Sequence, residues 1–224
     1  MTLQVGTRRL RCPLSAAPDL GARVQIWPVS LLGTRVEAWA NLNRHEHRRR
    51  SALGLGAVTD PALLESLLDL PLGELIDDPV AWTETAGQAE GIVERAEDRC
   101  AVRRLLEPPL TVTDIIVPGQ TGRALKAVQD ASLFASFSSR WVAAAEENPS
   151  DSVVMEAKLC GVGLLDHEGR VLFTGESSVI PVIDGWTWLL WEKCYRRWLK
   201  ILSSARKTVS EIPATDGAIE APTS

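Results

Sequence analysis

"SVVMEAKLCGVGLLDHEGRVLFTGESSVI", residues 152–180, is the stretch on which the fold turns. Two apolar arms, 152–165 and 170–180, flank Asp166-His167-Glu168-Gly169, a polar tetrad ending in glycine. That arrangement predicts a β-hairpin. In the first arm Val153, Met155, Ala157 and Leu159 alternate with Glu156 and Lys158, the two-residue period of a strand with one wet face.

Working outward, "GRALKAVQDASLFASFSSRWVAAAEEN" (122–148) reads as a long helix with Phe134, Phe137, Trp141 and Ala145 on one face. "NPSD" ends it. On the other side, "DGWTWLLWEKCYRRWLK" (184–200) holds four of the eight tryptophans and the only tyrosine. Asp184 suits a helix entry, and Trp188, Trp191, Tyr195, Trp198 and Leu202 follow at steps of three and four, one stripe of a helix. Lys193, Arg196, Arg197 and Lys200 lie off that stripe. The order helix, strand, strand, helix predicts an α+β fold, a small antiparallel sheet including a C-terminal hairpin with several helices packed on it.

Upstream, "ARVQIWPVS" (22–30) reads as a short strand stopped by Pro28. "LLGTRVEAWANLNRHEHRRR" (31–50) reads as helical from Val36, Trp39 and Leu42. "DPALLESLLDL" begins a helix with Asp60 as cap and Pro61 in its first turn. "LPLGELIDDPVAW" is a loop or short turn. "QAEGIVERAEDRCAVRRLLE" (88–107) reads as a helix stopped by Pro108 and Pro109, and "LTVTDIIVPG" (110–119) as a strand. The expected organisation is a mainly helical segment with a short strand over 1–107, an α/β/β/α segment over 108–206 packed with it as one unit, and a disordered tail over 207–224.

A chain of 224 residues buries a sizeable core, and a net charge of −5 argues against bulk nucleic-acid binding. Charge is uneven: residues 1–60 carry +5 and the remainder −10. Cys12, Cys100, Cys160 and Cys194 share no metal-ligand spacing, so reduced buried thiols and no metal are expected. No apolar run at the start is long enough for export or membrane insertion, so a soluble cytoplasmic protein without a transmembrane segment is expected.

Candidate chemistry is sparse. Asp151, Glu156 and Lys158 resemble the acidic and lysine set of the PD-(D/E)xK nucleases. The resemblance implies two acids on a divalent metal and a lysine positioning the attacking water. It departs from that pattern because Asp151 precedes Glu156 by only five residues, and Asp114 is the other acid available. Arg44, Arg48, Arg49 and Arg50, interleaved with His45 and His47, form a basic patch that would suit phosphate or nucleic acid. Without an aromatic platform or glycine-rich loop, a solvated helix end explains it better. "LGLGA" lacks the third glycine of a dinucleotide site, and neither His167 nor "GESS" completes a nucleophile–base pair. No cofactor is expected. "GVGLLDHEGRVLFTGESSV" followed by a closing helix resembles the end of some phage tail assembly chaperones, which implies assembly rather than catalysis.

The expectation is therefore a non-catalytic adaptor or assembly subunit, binding another protein or itself through the aromatic, basic C-terminal helix. Its expected contact residues are Trp191, Tyr195, Arg196, Arg197, Trp198 and Lys200. The alternative is a metal-dependent nuclease built on Glu156 and Lys158.

Overall fold

A computed structural model describes residues 23–77, 91–95, 101–176 and 183–210. Within them lies a six-stranded mixed sheet in the order β1 (Arg23–Leu31), β2 (Thr34–Leu42), β6 (Leu110–Pro118), β7 (Ser139–Ala143), β8 (Gly163–Leu165), β9 (Val171–Phe173), with a small three-stranded sheet, β3 (Ile76–Asp77), β5 (Ala101–Arg104), β4 (Val93–Arg95), beside it.

β1 (Arg23–Leu31) and β2 (Thr34–Leu42) form a hairpin around Leu32 and Gly33, both at positive φ. Pro28 does not stop β1: the pairing shifts between Ile26 and Val29, and β1 lies at the sheet edge, where a missing N–H is tolerated. β2 is a strand where a helix was expected. Val36, Ala38, Ala40 and Leu42 are all buried; the alanines hid this two-residue period, whereas Val36, Trp39 and Leu42 imitated a helical one. α1 is confined to Arg44–Ala52, capped by the Asn43 side chain. α2 (Pro61–Leu68) starts as expected, the Asp60 carboxylate accepting from the N–H groups of Ala62 and Leu63.

The expected helix at 88–107 is replaced by β4 (Val93–Arg95) and β5 (Ala101–Arg104), with residues 96–100 outside the described set. Glutamate, alanine and arginine favour a helix locally, but antiparallel pairing of both strands, and of β3 (Ile76–Asp77), overrides the preference. β6 (Leu110–Pro118) is central, and its Ile115-Ile116-Val117 run is buried.

The sheet becomes parallel where the long helix was expected. α3 (Ala124–Ser132) ends before a serine-rich turn, and β7 (Ser139–Ala143) pairs parallel to β6. Serine hydroxyls compete for backbone groups, and Ser132 donates to Gln129 O at 2.7 Å. Residues 151–159 are also a helix, α4 (Asp151–Leu159), not the first arm of a hairpin. Val153 and Ala157 form its buried face, four residues apart. β8 (Gly163–Leu165) then pairs parallel to β7, and only the last part of the expected hairpin is real, β8 turning through Asp166–Arg170 into antiparallel β9 (Val171–Phe173). The small antiparallel sheet is thus corrected to a mixed one: two helical crossovers place β6, β7 and β8 side by side in parallel.

α5 (Gly185–Ser210) runs past the expected start of the tail, whose remainder lies outside the described residues. Asp184 caps it, accepting from Thr187 N–H at 2.6 Å. One sheet face packs Val36, Ala38, Ile115, Val142 and Leu164 against the apolar sides of α3, α4 and α5. A second cluster joins Leu64 and Leu67 of α2, Val102 and Leu106 to Trp188 and Leu189 of α5. α5 therefore closes both cores.

Candidate docking surface

α5 carries two stripes. Trp188, Trp191 and Tyr195 turn inward, the last two only 2% and 1% exposed, so these two expected contact residues sit in the core. Trp198 is half-buried, edge-on to His47 at 4.9 Å between ring centroids. Lys193, Arg196, Arg197 and Lys200 follow at i, i+3, i+4 and i+7, which places them on one outward face.

A buried ionic junction fixes this rotation. Arg50 Nη2 and Nη1 donate to Glu192 Oε1 and Oε2 at 2.7 and 2.9 Å, and Arg50 Nε donates to Glu46 Oε1 at 2.7 Å. Glu192 also accepts from Val58 N–H at 2.9 Å and Trp188 Nε1–H at 3.1 Å. Burial pushes Glu46 upward, but the guanidinium groups of Arg49 and Arg50 outweigh it and hold its carboxyl below the ordinary range. Burial opposes the charge on Arg50, yet the two carboxylates raise its pKa further.

The basic stripe faces β1. Lys193, Arg196, Arg197 and Lys200, with Arg35 of β2 and the Pro28–Ser30 backbone, line an open groove of about 650 Å³. Arg197 Nε donates to Pro28 O at 2.7 Å, fixing one wall. No carboxylate of the described residues lines this groove. Arg35 lies over the Trp27 ring at 5.3 Å and opens into a second depression of about 770 Å³, where Arg123, just before α3, and Lys126 within it add charge. The carboxylate there, Asp130, is held by Lys126 at 2.6 Å. Lys193 also borders an apolar notch of about 160 Å³ between Leu31, Leu32, Phe137, Trp186, Leu189 and Leu190. Trp186 and Leu32 stand 65% and 51% exposed at its rim.

Leu32 has φ +49°, a left-handed conformation that costs a bulky residue roughly 1–2 kcal/mol. A hairpin turn of this kind ordinarily takes asparagine or glycine there. Leu32 thus stands exposed, in a strained conformation, between two depressions.

The other expected residues do not converge. Arg44 and Arg48 are exposed on α1, while Arg49 and Arg50 are occupied by Glu46 and Glu192, so the expected basic patch is divided. Asp151, Glu156 and Lys158 lie on α4, not on a strand. Glu156 approaches Cys160 Sγ at 3.8 Å, and Lys158 lies over the Phe173 ring at 5.6 Å. Asp114 is buried elsewhere, accepting from Arg23 at 2.8 Å and Trp141 Nε1–H at 3.1 Å. The strand placement on which the nuclease alternative depends is thus absent, and no group of three metal-binding side chains occurs among the described residues. Nor is any described helix long and apolar enough to cross a membrane. Sequence reasoning missed Trp27, Leu32, Arg35 and Trp186 as surface residues. The positive-φ turn implied by Leu-Gly was the one signal for them.

In comparisons with known proteins, no family model, no curated protein and no solved structure matches the chain.

Proposed function

We propose that this chain is a non-catalytic protein-interaction subunit, an adaptor or assembly factor, and that it docks its partner where α5 meets the β1–β2 hairpin. The observation that carries the reading is the groove of Lys193, Arg196, Arg197, Lys200 and Arg35, lined by no described carboxylate and bordered by exposed Trp186. A cationic groove beside exposed apolar side chains is well suited to a partner that supplies both complements. Tryptophan and arginine are also the side chains that concentrate binding energy at interfaces.

The test is photo-cross-linking from a photoreactive residue at position 186 in cells expressing the chain, followed by reconstitution with the cross-linked protein. Wild type should bind it, and a double Arg196→Glu, Lys200→Glu variant with an unchanged circular dichroism spectrum should lose most of that affinity. Full binding by the folded double variant, or the lack of any specific cross-link, would overturn the proposal. Light scattering on the same samples separates self-association from a foreign partner.

A further inference from the structure

The three depressions share residues: Lys193 borders both the basic groove and the apolar notch, Arg35 joins the basic groove to the depression beside α3, and Leu32 joins that depression to the notch. They therefore form one continuous surface, and its order of chemistry specifies a ligand. We infer that the surface recognises a short extended acidic peptide segment of a partner protein, with one apolar side chain inserted in the notch and carboxylates following it along α5. This rests on the reading above and deepens it.

The dimensions set the segment's length. From Trp186 to Lys200 a helix rises about 21 Å at ~1.5 Å per residue. An extended chain covers that distance in about six residues at ~3.3–3.6 Å each. The notch, about 160 Å³, matches the roughly 150 Å³ that accommodates one benzene-sized group. It admits a phenylalanine or leucine and not two. From Lys193 to Lys200 the basic stripe rises about 10 Å, or about three extended residues, enough to pair with about three carboxylates.

Charge and shape favour a peptide over a nucleic acid. The stripe is short, and the chain as a whole is acidic at −5, so a long polyanion leaving the groove meets repulsion. One face of the Trp27 ring is already taken by the Arg35 guanidinium, which reduces it as a stacking platform. The notch, lined by aliphatic and aromatic carbon, asks for an apolar side chain that a phosphate backbone lacks.

The experiment measures fluorescence anisotropy of a fluorescein-labelled synthetic peptide, one phenylalanine followed by four glutamates, against the full chain. Two further peptides replace phenylalanine by serine or all glutamates by glutamine. The parent peptide should bind, the serine version should be about tenfold weaker, and the glutamine version should lose binding. Raising salt from about 0.05 to about 0.3 M should weaken the parent by at least about tenfold. Trp186→Ser should affect the parent peptide and leave the serine version unchanged, while Arg196→Glu with Lys200→Glu should abolish both; circular dichroism confirms that each variant is folded. Equal binding of all three peptides, no binding of any, or stronger binding of an oligothymidylate than of the parent would each overturn the inference. A cross-linked protein partner without an acidic segment would overturn it too, while leaving the broader reading standing.

Discussion

At the scale of single residues, Arg50 has the largest consequence. Its guanidinium, with no exposed side-chain surface, joins Glu46 to Glu192, the latter 142 residues away from Arg50 in sequence. Removing one member of such a buried group leaves the others charged in a medium that does not solvate them. Arg50→Ala should cost roughly 3–5 kcal/mol, read as a shift in the urea midpoint, and Arg50→Lys should recover only part because an ammonium cannot make the fork to two carboxylates. Asp166 organises the β8–β9 turn. Burial pushes its carboxyl upward, but the N–H groups of Arg170 and Glu168 and the Arg170 side chain prevail and hold it at about 2, below the 3.8 of an ordinary aspartate. A depressed carboxyl stabilises fully above the unfolded value and loses that contribution as pH falls through the folded one. Urea melts should therefore show wild type outperforming Asp166→Asn by a constant margin above about pH 5, with the margin shrinking between about pH 4 and about pH 2. Leu32→Asn would place Asn-Gly in the hairpin turn and relieve a left-handed leucine. It should raise stability by roughly 0.5–1 kcal/mol in the same melts while weakening partner binding.

At the scale of elements, the close approach of β7 and β8 depends on glycine. A Cβ built at Gly163 would overlap the six-membered ring of Trp141. Gly163→Ala should cost about 1–3 kcal/mol in a urea melt and alter the near-ultraviolet signal of that tryptophan. The elements legible in the sequence were those announced by a cap or an unbroken pattern: α2 behind Asp60, β6 with its β-branched run, α5 behind Asp184. Those misread had patterns compatible with either period. Residues 34–42 place alanines at two inward positions, which flattens the strand signal. Residues 151–159 carry Val153-Val154 in an otherwise helix-favouring run, and only the helical i, i+4 burial of Val153 and Ala157 resolves them. Residues 93–95 and 101–104 become strands only because each finds a partner, information that no local window contains.

At the scale of the whole molecule, the same division explains what could be read of the docking surface. The basic stripe of α5 lies within eight consecutive residues, and helix periodicity alone collects it. Arg35, Trp27, Leu32 and Arg123 come from other elements and reach that face only through the mixed order of the sheet. Arg50, from the net-positive residues 1–60, pairs with Glu192 of the net-negative remainder. α5 also completes both hydrophobic clusters, through Trp188 and Leu189 in one and through Leu190, Trp191, Cys194 and Tyr195 in the other. A chain truncated after Ile183 should accordingly show no cooperative thermal transition, measured by circular dichroism, although it keeps every strand of the sheet.

The position of α5 has a further consequence during synthesis. A ribosome adds its residues after those of every other described element, so these emerge with Arg50 facing no Glu192 and with both clusters open. Domains generally fold as units once their chain is available. This one must therefore wait, its apolar surfaces accessible to chaperones, until the closing helix has cleared the exit tunnel, and its docking groove comes into being in the same late step.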